Sequence, residues 1–233
     1  MPYWSASPRY VKGQRALRHG FPVPRFIALP LYFTHTCLVR SVRWLVRFLY
    51  SEPLFRARCD TAGDGFSMRT LPDISGHTHL ELGRNVRLKG HMAAGSGRIF
   101  DFPKLVLADG VQIGHDVAIA VNKEIVLEEG VRIGGGSRLM DTDAHPRDAA
   151  MRAANIPPPP EEVKPVRIRR HAAIGPRSFV LKGVTIGEGA TIGPASVVVS
   201  DIPPFTVAVG NPARIIARPK PASQPAAGQY ENS

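Results

Sequence analysis

The sequence predicts an all-β protein built as a parallel β-helix, and three observations carry that expectation. From Ile168 to Val198 an aliphatic residue falls on every sixth position: Ile168, Ile174, Val180, Ile186, Ile192 and Val198. Four places after each of the first five stands a residue of small or modest size: Ala172, Ser178, Val184, Ala190 and Ser196. Glycine directly follows three of the aliphatics, at Gly175, Gly187 and Gly193. A period of six is neither the 3.6 of a helix nor the two-residue alternation of a half-buried strand. It is the period of a hexapeptide solenoid, in which each repeat forms one flat side of a triangular coil of roughly 18 residues. Coils then stack at about 4.8 Å, as neighbouring strands do. The aliphatic points inward, the residue four places on lies near a corner, and glycine eases the turn.

Taken in order, the chain opens with a basic segment. Of the net charge of +11, residues 1–60 carry +8, from ten Lys/Arg against two Asp/Glu. Such an arm suits nucleic acid or an anionic membrane surface. Residues 1–25 lack periodicity. The apolar run from Phe26 to Phe33 is broken by Pro30, and a helix is expected from Thr36 to Tyr50. It sets Leu38, Val42, Leu45 and Leu49 on one face and Arg40, Arg43 and Arg47 on another, with Trp44 between and Ser51-Glu52-Pro53 as its stop. Those arginines and the proline argue against a membrane span. Two readings of the helix stand: packing on the solenoid or in an oligomer, or lying in an anionic bilayer interface through residues 26–50. The basic arm lacks aromatic interleaving and any nucleic-acid motif, so no nucleic-acid partner is expected.

The repeat becomes visible at Leu82 and Leu88, is interrupted over 91–104, and resumes at Leu107, Ile113 and Ile119. A two-residue slip near Asn122 precedes Leu127, Ile133 and Leu139. A solenoid tolerates such a slip only at a corner. The pattern then stops until Ile168, and the last coil is expected to end at Val198. The domain division is therefore a basic arm and helix at 1–60, a β-helix at 61–200 with a protruding loop at 140–166, and a closing segment with a tail at 201–233. Cys37 and Cys59 make no metal spacing and no disulfide framework, and no signal-peptide cleavage pattern precedes the first apolar run, so a cytoplasmic setting is expected.

The loop after Leu139 reads "MDTDAHPRDAAMRAANIPPPPEEVKPV". Its four prolines favour extended, hydrogen-bond-poor chain. Loops of this length in compact folds are usually functional or disordered. His145 sits where the chain leaves the solenoid, so a rigid coil can hold it. An imidazole titrates near neutral pH and can take a proton from an attacking hydroxyl or amine. Asp143 or Asp141 is placed to accept from its other ring nitrogen and fix its tautomer. Neither cysteine lies in the repeats, so a covalent acyl-cysteine route has no candidate nucleophile.

With "DTDAHP", the closing repeats "AAIGPRSFVLKGVTIGEGATIGPASVVVSDIPP" and "VGNPARII" in view, the chain from about Leu82 to Pro219 resembles the hexapeptide-repeat O-acetyltransferases. These include the maltose, galactoside and nodulation acetyltransferases and relatives that decorate surface polysaccharides. The resemblance implies a left-handed β-helix, acetyl-CoA as donor, no metal, a homotrimer with the active site between adjacent solenoids, and a sugar acceptor from a glycan or lipid-linked precursor. It implies His145 as catalytic base. It places cofactor contacts at Ala173, Pro176, Pro194, Val199, Ser200 and Arg214, with Ala172, Arg218 and Lys220 nearby. Asn122, and with it His115, fall to the acceptor side. Two departures stand out: Ala173 replaces a frequent tryptophan and Ser200 a frequent lysine, while Pro176 and Pro194 offer no backbone N–H. Work at the inner face of the cytoplasmic membrane is implied by the basic helix alone.

Two other uses of the fold compete. Acylation of nitrogen on an amino sugar or nucleotide sugar needs the same base. A zinc-dependent γ-type carbonic anhydrase needs three converging histidines. His77, His79, His91, His115, His145 and His171 supply the number, but the His-x4-His pair of such enzymes is missing.

Overall fold

The computed structural model describes residues 24–218, which form two compact units divided between Val46 and Arg47. In the first, helix α1 (Arg25–Val46) has no buried residue. It starts well before Thr36 and runs through Pro30, contrary to the expected break. Proline in the second turn removes one donor only, and the Phe26 carbonyl left without it lies at an exposed helix end. The hydroxyls of Thr34 and Thr36 donate back to the carbonyls of Pro30 and Tyr32.

The second unit begins with a π-helical turn (Arg47–Ser51) and helix α2 (Glu52–Arg58). Ser51-Glu52-Pro53 therefore starts a helix rather than ending one, because Pro53 occupies the first turn, where an N–H has no partner to lose. Phe55 is buried and stacks on Phe66 at 5.6 Å. α2 thus covers the N-terminal end of the β-structure.

That structure is three sheets visited in rotation. Sheet A holds β1 (Thr61–Ala62), β4 (His79–Leu82), β7 (Lys104–Leu107), β10 (Glu124–Leu127), β13 (Val166–Ile168) and β16 (Thr185–Ile186). Sheet B holds β2 (Ser67–Met68), β5 (Arg87–Leu88), β8 (Gln112–Ile113), β11 (Arg132–Ile133), β14 (Ala173–Ile174), β17 (Thr191–Ile192), β19 (Val207–Val209) and β20 (Arg214–Ala217). Sheet C holds β3 (Asp73–Ser75), β6 (Met92–Gly95), β9 (Val117–Ala120), β12 (Arg138–Met140), β15 (Phe179–Val180) and β18 (Val197–Val198). All pairings are parallel except β19 with β20. The chain therefore winds A, B, C, and each coil lies on the one before it.

The six-residue aliphatics stack in register. Leu82, Leu107, Leu127, Ile168 and Ile186 form one inner column. Leu88, Ile113, Ile133, Ile174 and Ile192 form the second. Ile119, Leu139, Val180 and Val198 form the third. All are buried. The coils extend beyond the visible repeat at both ends. They begin at Thr61, where Met68 and Ala94 take inward positions that the aliphatic pattern did not reveal. Within 91–104 only 96–103 leaves the coil, since Met92–Gly95 is a regular strand of sheet C. Past Val198, Ile202 bridges Ile186 and β19 pairs with β17, so the winding continues to Val209.

Each corner has its own chemistry. Between sheets A and B the same turn recurs, with the N–H of Val111, Val131, Ala172 and Ala190 donating to the carbonyl three residues back. The buried residue there shrinks along the axis, from Phe66 through Val86, Val111 and Val131 to Ala172 and Ala190. Between B and C a ladder of buried hydroxyls runs upward. Ser137 donates to the Gly175 carbonyl and accepts from the Ser178 N–H, and Ser178 donates to the Gly193 carbonyl and accepts from the Ser196 N–H. Between C and A the connections vary, and every surplus residue leaves there: the two-residue slips at 76–78 and 121–123, and the longer segments 96–103 and 141–165.

Ala172→Leu should lower unfolding free energy by about 1–3 kcal/mol, because that corner has no room for added methylenes; urea denaturation followed by circular dichroism measures it.

Candidate active site

The long loop leaves β12 through a neck in which nearly every residue has a separate tie. Asp141 is fully buried and accepts from three consecutive amides of the preceding coil: Asn122 at 2.8 and 3.0 Å, Lys123 at 2.6 Å and Glu124 at 3.0 Å. Burial pushes its carboxyl above the ordinary carboxylate range, and those amides act in the opposite sense. Thr142 is buried and its hydroxyl accepts the Ala144 N–H at 3.2 Å. Asp143 pairs at 2.6 Å with the ammonium of Lys182, from the following coil, with Arg147 4.0 Å away. Ala144 adopts φ of +65°, a conformation L-residues rarely hold without support. His145 then projects as an exposed side chain and Pro146 is buried.

The loop beyond is more ordered than its prolines suggested. Helix α3 (Ala149–Ala153) is capped by Asp148, whose carboxylate accepts the Met151 N–H at 2.8 Å. Arg152 reaches back to the carbonyls of Pro146 and Arg147 at 2.9 and 2.5 Å. Pro160–Glu162 forms a 3-10 turn, with Pro160 again in a position that needs no donor. The neck closes where the Lys164 N–H donates to the Asp141 carbonyl at 2.9 Å and the Gly183 N–H to the Lys164 carbonyl at 3.0 Å.

The hydrogen bond expected between His145 and an aspartate is not made. Asp141 is saturated by backbone donors, and Asp143 is engaged by Lys182. Lys182 was not foreseen, because a pairing across coils depends on which turns face one another at an edge. Asn122 is buried, and its Oδ1 accepts the Gly97 N–H at 2.8 Å, tying the 96–103 loop to the same edge. His115 stands at the B–C corner, at the opposite end of β9 from Asn122, and is exposed.

The positions assigned to the cofactor divide in the same way. Ala173 faces outward on β14, and Pro176 and Pro194 are exposed at the B–C corner, linked through the Ala195 N–H to the Pro176 carbonyl at 2.9 Å. Arg214 lies exposed on β20, the terminal strand of sheet B. Val199 and Ser200 are exposed at the C–A corner, the edge that carries His145. Arg218 is the last described residue, and Lys220 lies outside the described residues. Of the six positions, Pro176 and Pro194 thus lie at the B–C corner, Ala173 and Arg214 on strands of sheet B, and Val199 and Ser200 on the same edge as His145.

Among the described residues no group of three or more His, Cys, Asp or Glu is arranged to hold a metal ion. His77 contacts the Phe100 carbonyl at 2.8 Å and His79 the Asp60 carboxylate at 3.0 Å. A cleft of about 640 Å³, lined by Arg169, Arg170, Glu188, Asp201, Pro203 and Pro204, lies along sheet A and its corner with sheet B.

No protein-family model matches the chain, and neither does any curated protein. Solved structures do. AntD, an N-acyltransferase from Bacillus cereus in complex with dTDP and 3-hydroxybutyryl-CoA, superposes with a TM-score of 0.55 at 18% identity, over 72% of this chain and 88% of that one. A point mutant of AntD in complex with dTDP-4-amino-4,6-dideoxyglucose and coenzyme A gives 0.55 at 18% identity, over 73% and 89%. At such identity the likeness establishes a shared fold.

Asp141→Ala removes the acceptor for three amides, one buried and two part-buried, and should cost about 3 kcal/mol of stability as those donors lose their partner; the buried Asn122 N–H bears the largest desolvation penalty. Thermal and urea denaturation of the purified protein measure the loss.

Proposed function

We propose that this protein is a CoA-dependent acyltransferase that carries an acetyl group from acetyl-CoA to a saccharide hydroxyl, with His145 as general base. The observation that carries the reading is an exposed imidazole on a neck pinned to two neighbouring coils, in a fold shared with an N-acyltransferase solved with CoA and a nucleotide sugar. In the proposed step His145 takes the hydroxyl proton as that oxygen attacks the thioester carbonyl. The tetrahedral oxyanion collapses, the C–S bond breaks, and the CoA thiolate recovers a proton from the imidazolium. Turn amides are available to stabilise the oxyanion, but Pro176 and Pro194 have none to offer, so donor contacts at the B–C corner fall to neighbouring residues.

We infer a homotrimer of left-handed β-helices, a handedness that accords with the regular six-residue sides. The separation of His145 from Ala173, Pro176, Pro194 and Arg214 supports the trimer: a prism keeps its edges apart, and a second copy set alongside brings one C–A edge to another's B–C edge. The acceptor class is a glycan or lipid-linked sugar. Transfer to an amino-sugar nitrogen is the second reading, favoured by the amino sugar in the AntD complex.

Residues 26–50 support peripheral docking on an anionic membrane at the cytoplasmic face. No helix among the described residues is long and apolar enough to cross a membrane. Phe26, Leu31, Tyr32, Phe33, Leu38 and Leu45 are exposed, and residues 1–51 contain no Asp or Glu. Successive helical positions turn by about 100°, which sets Ile27, Leu31, Leu38, Val42 and Leu45 opposite Arg25, Arg40 and Arg43.

His145→Ala should reduce CoA release by about a hundredfold or more while leaving assembly and CoA binding intact, as loss of a general base does; near-normal release from any accepted saccharide sinks the assignment. Replacing Arg40, Arg43 and Arg47 together by glutamine should abolish sedimentation with phosphatidylglycerol vesicles in low salt, and unchanged sedimentation contradicts docking through this helix.

A further inference from the structure

We propose that Lys182 is the positioning residue for His145, acting through Asp143. This rests on the proposed role of His145 and adds the device that presents it.

The side chain of Lys182 is only 11% exposed, while its partner Asp143 is 42% exposed. A lysine side chain this little exposed needs an acceptor for its ammonium, and the 2.6 Å contact to the Asp143 carboxylate supplies one. Lys182 follows β15 at the C–A corner, where the Leu181 N–H donates to the Val198 carbonyl and the Gly183 N–H to the Lys164 carbonyl, both at 3.0 Å. Its backbone is therefore fixed to the coil above and to the returning limb of the loop. Asp143 belongs to the outgoing limb, two residues before His145. The ion pair ties the outgoing limb to the rigid edge just where Ala144 takes its left-handed turn at φ +65°. That conformation persists only where the surroundings hold it. Asp141 anchors the neck to the coil below and Lys182 anchors it to the coil above, so the imidazole has a defined place without an aspartate bound to its ring. An exposed histidine without such support would sample many orientations, and misplacement by about 1 Å can cost about a hundredfold in rate.

The full-length protein with Lys182→Met, Lys182→Arg, Asp143→Asn and the Asp143→Asn/Lys182→Met pair tests this. Two readouts apply: steady-state CoA release, and hydrogen exchange of the amides at 142–147. Lys182→Met should lower kcat about tenfold or more with the acetyl-CoA KM changed by less than about twofold, because positioning and donor binding are separate. Lys182→Arg should restore most of that loss. Asp143→Asn should match Lys182→Met, and the pair should lose no more than either alone. Exchange at 142–147 should rise in Lys182→Met and stay unchanged in His145→Ala. Additive losses, a fall confined to KM, or unaltered exchange in Lys182→Met overturns the proposal. Should Lys182→Met fail to fold, Lys182→Arg and Asp143→Asn decide it on the same criteria. A wild-type protein without acyl transfer but with the exchange response refutes the acyltransferase reading and leaves the positioning role standing.

Discussion

Parallel pairing between coils is the constraint on which the rest depends. Every strand must meet the strand one coil away in register, so each coil has to repeat the path of the last. Aliphatics on the inside satisfy that demand by burial, and corners satisfy it by a repeated turn. Nothing inside such a stack can be lengthened. Surplus chain can leave only at a corner, and here it leaves at one corner alone. The A–B corner is excluded by its tight turns and shrinking buried residues, and the upper B–C corner by its serine ladder. The C–A corner is where the fold has freedom to vary, and that is where His145, Asn122 and the two large insertions stand.

That freedom has a cost, which Asp141 offsets. A corner that accommodates an insertion leaves amides on the coil beneath without strand partners. One buried carboxylate takes up three of them. Burying a carboxylate is unfavourable, and the upward push on its titration expresses this. Three converging N–H donors provide the compensation that makes the arrangement tenable. Asp141 therefore belongs to the architecture of the site, with its chemistry directed at the backbone.

Much of the fold was legible because the period of six has a single geometric meaning. The inner columns from Leu82 onward, the slip at Asn122 and the loop after Leu139 all stand where the pattern set them. Three features escaped it for physical reasons. Met68 and Ala94 fill inward positions without the aliphatic signature, so the strands at 67–68 and 92–95 were hidden even though the β-helix begins at residue 61 as expected. Pro30 lies near a helix end, where losing one donor matters little, and the helix runs through it. The partners of Asp141 and Asp143 lie on other coils, and spacing along the chain does not reveal which turns face across an edge. The candidate site was legible as a segment, and its internal wiring was not.

The wiring gives the spacing in "DTDAH" a mechanical sense. Asp141 grips the coil below, Asp143 grips the coil above, and His145 follows after one left-handed residue. Two aspartates set two residues apart thus span three successive coils, which no single coil of the stack could do by itself. An imidazole carried on such a bracket is fixed relative to the prism rather than to the rest of its own loop. His145 stands on the C–A edge, whereas Ala173, Pro176, Pro194 and Arg214 lie on sheet B or at its corner with sheet C. A triangular stack filled by its aliphatic columns has no concave interior, so residues of the C–A edge and of the outer face of sheet B are held on separate surfaces of the chain.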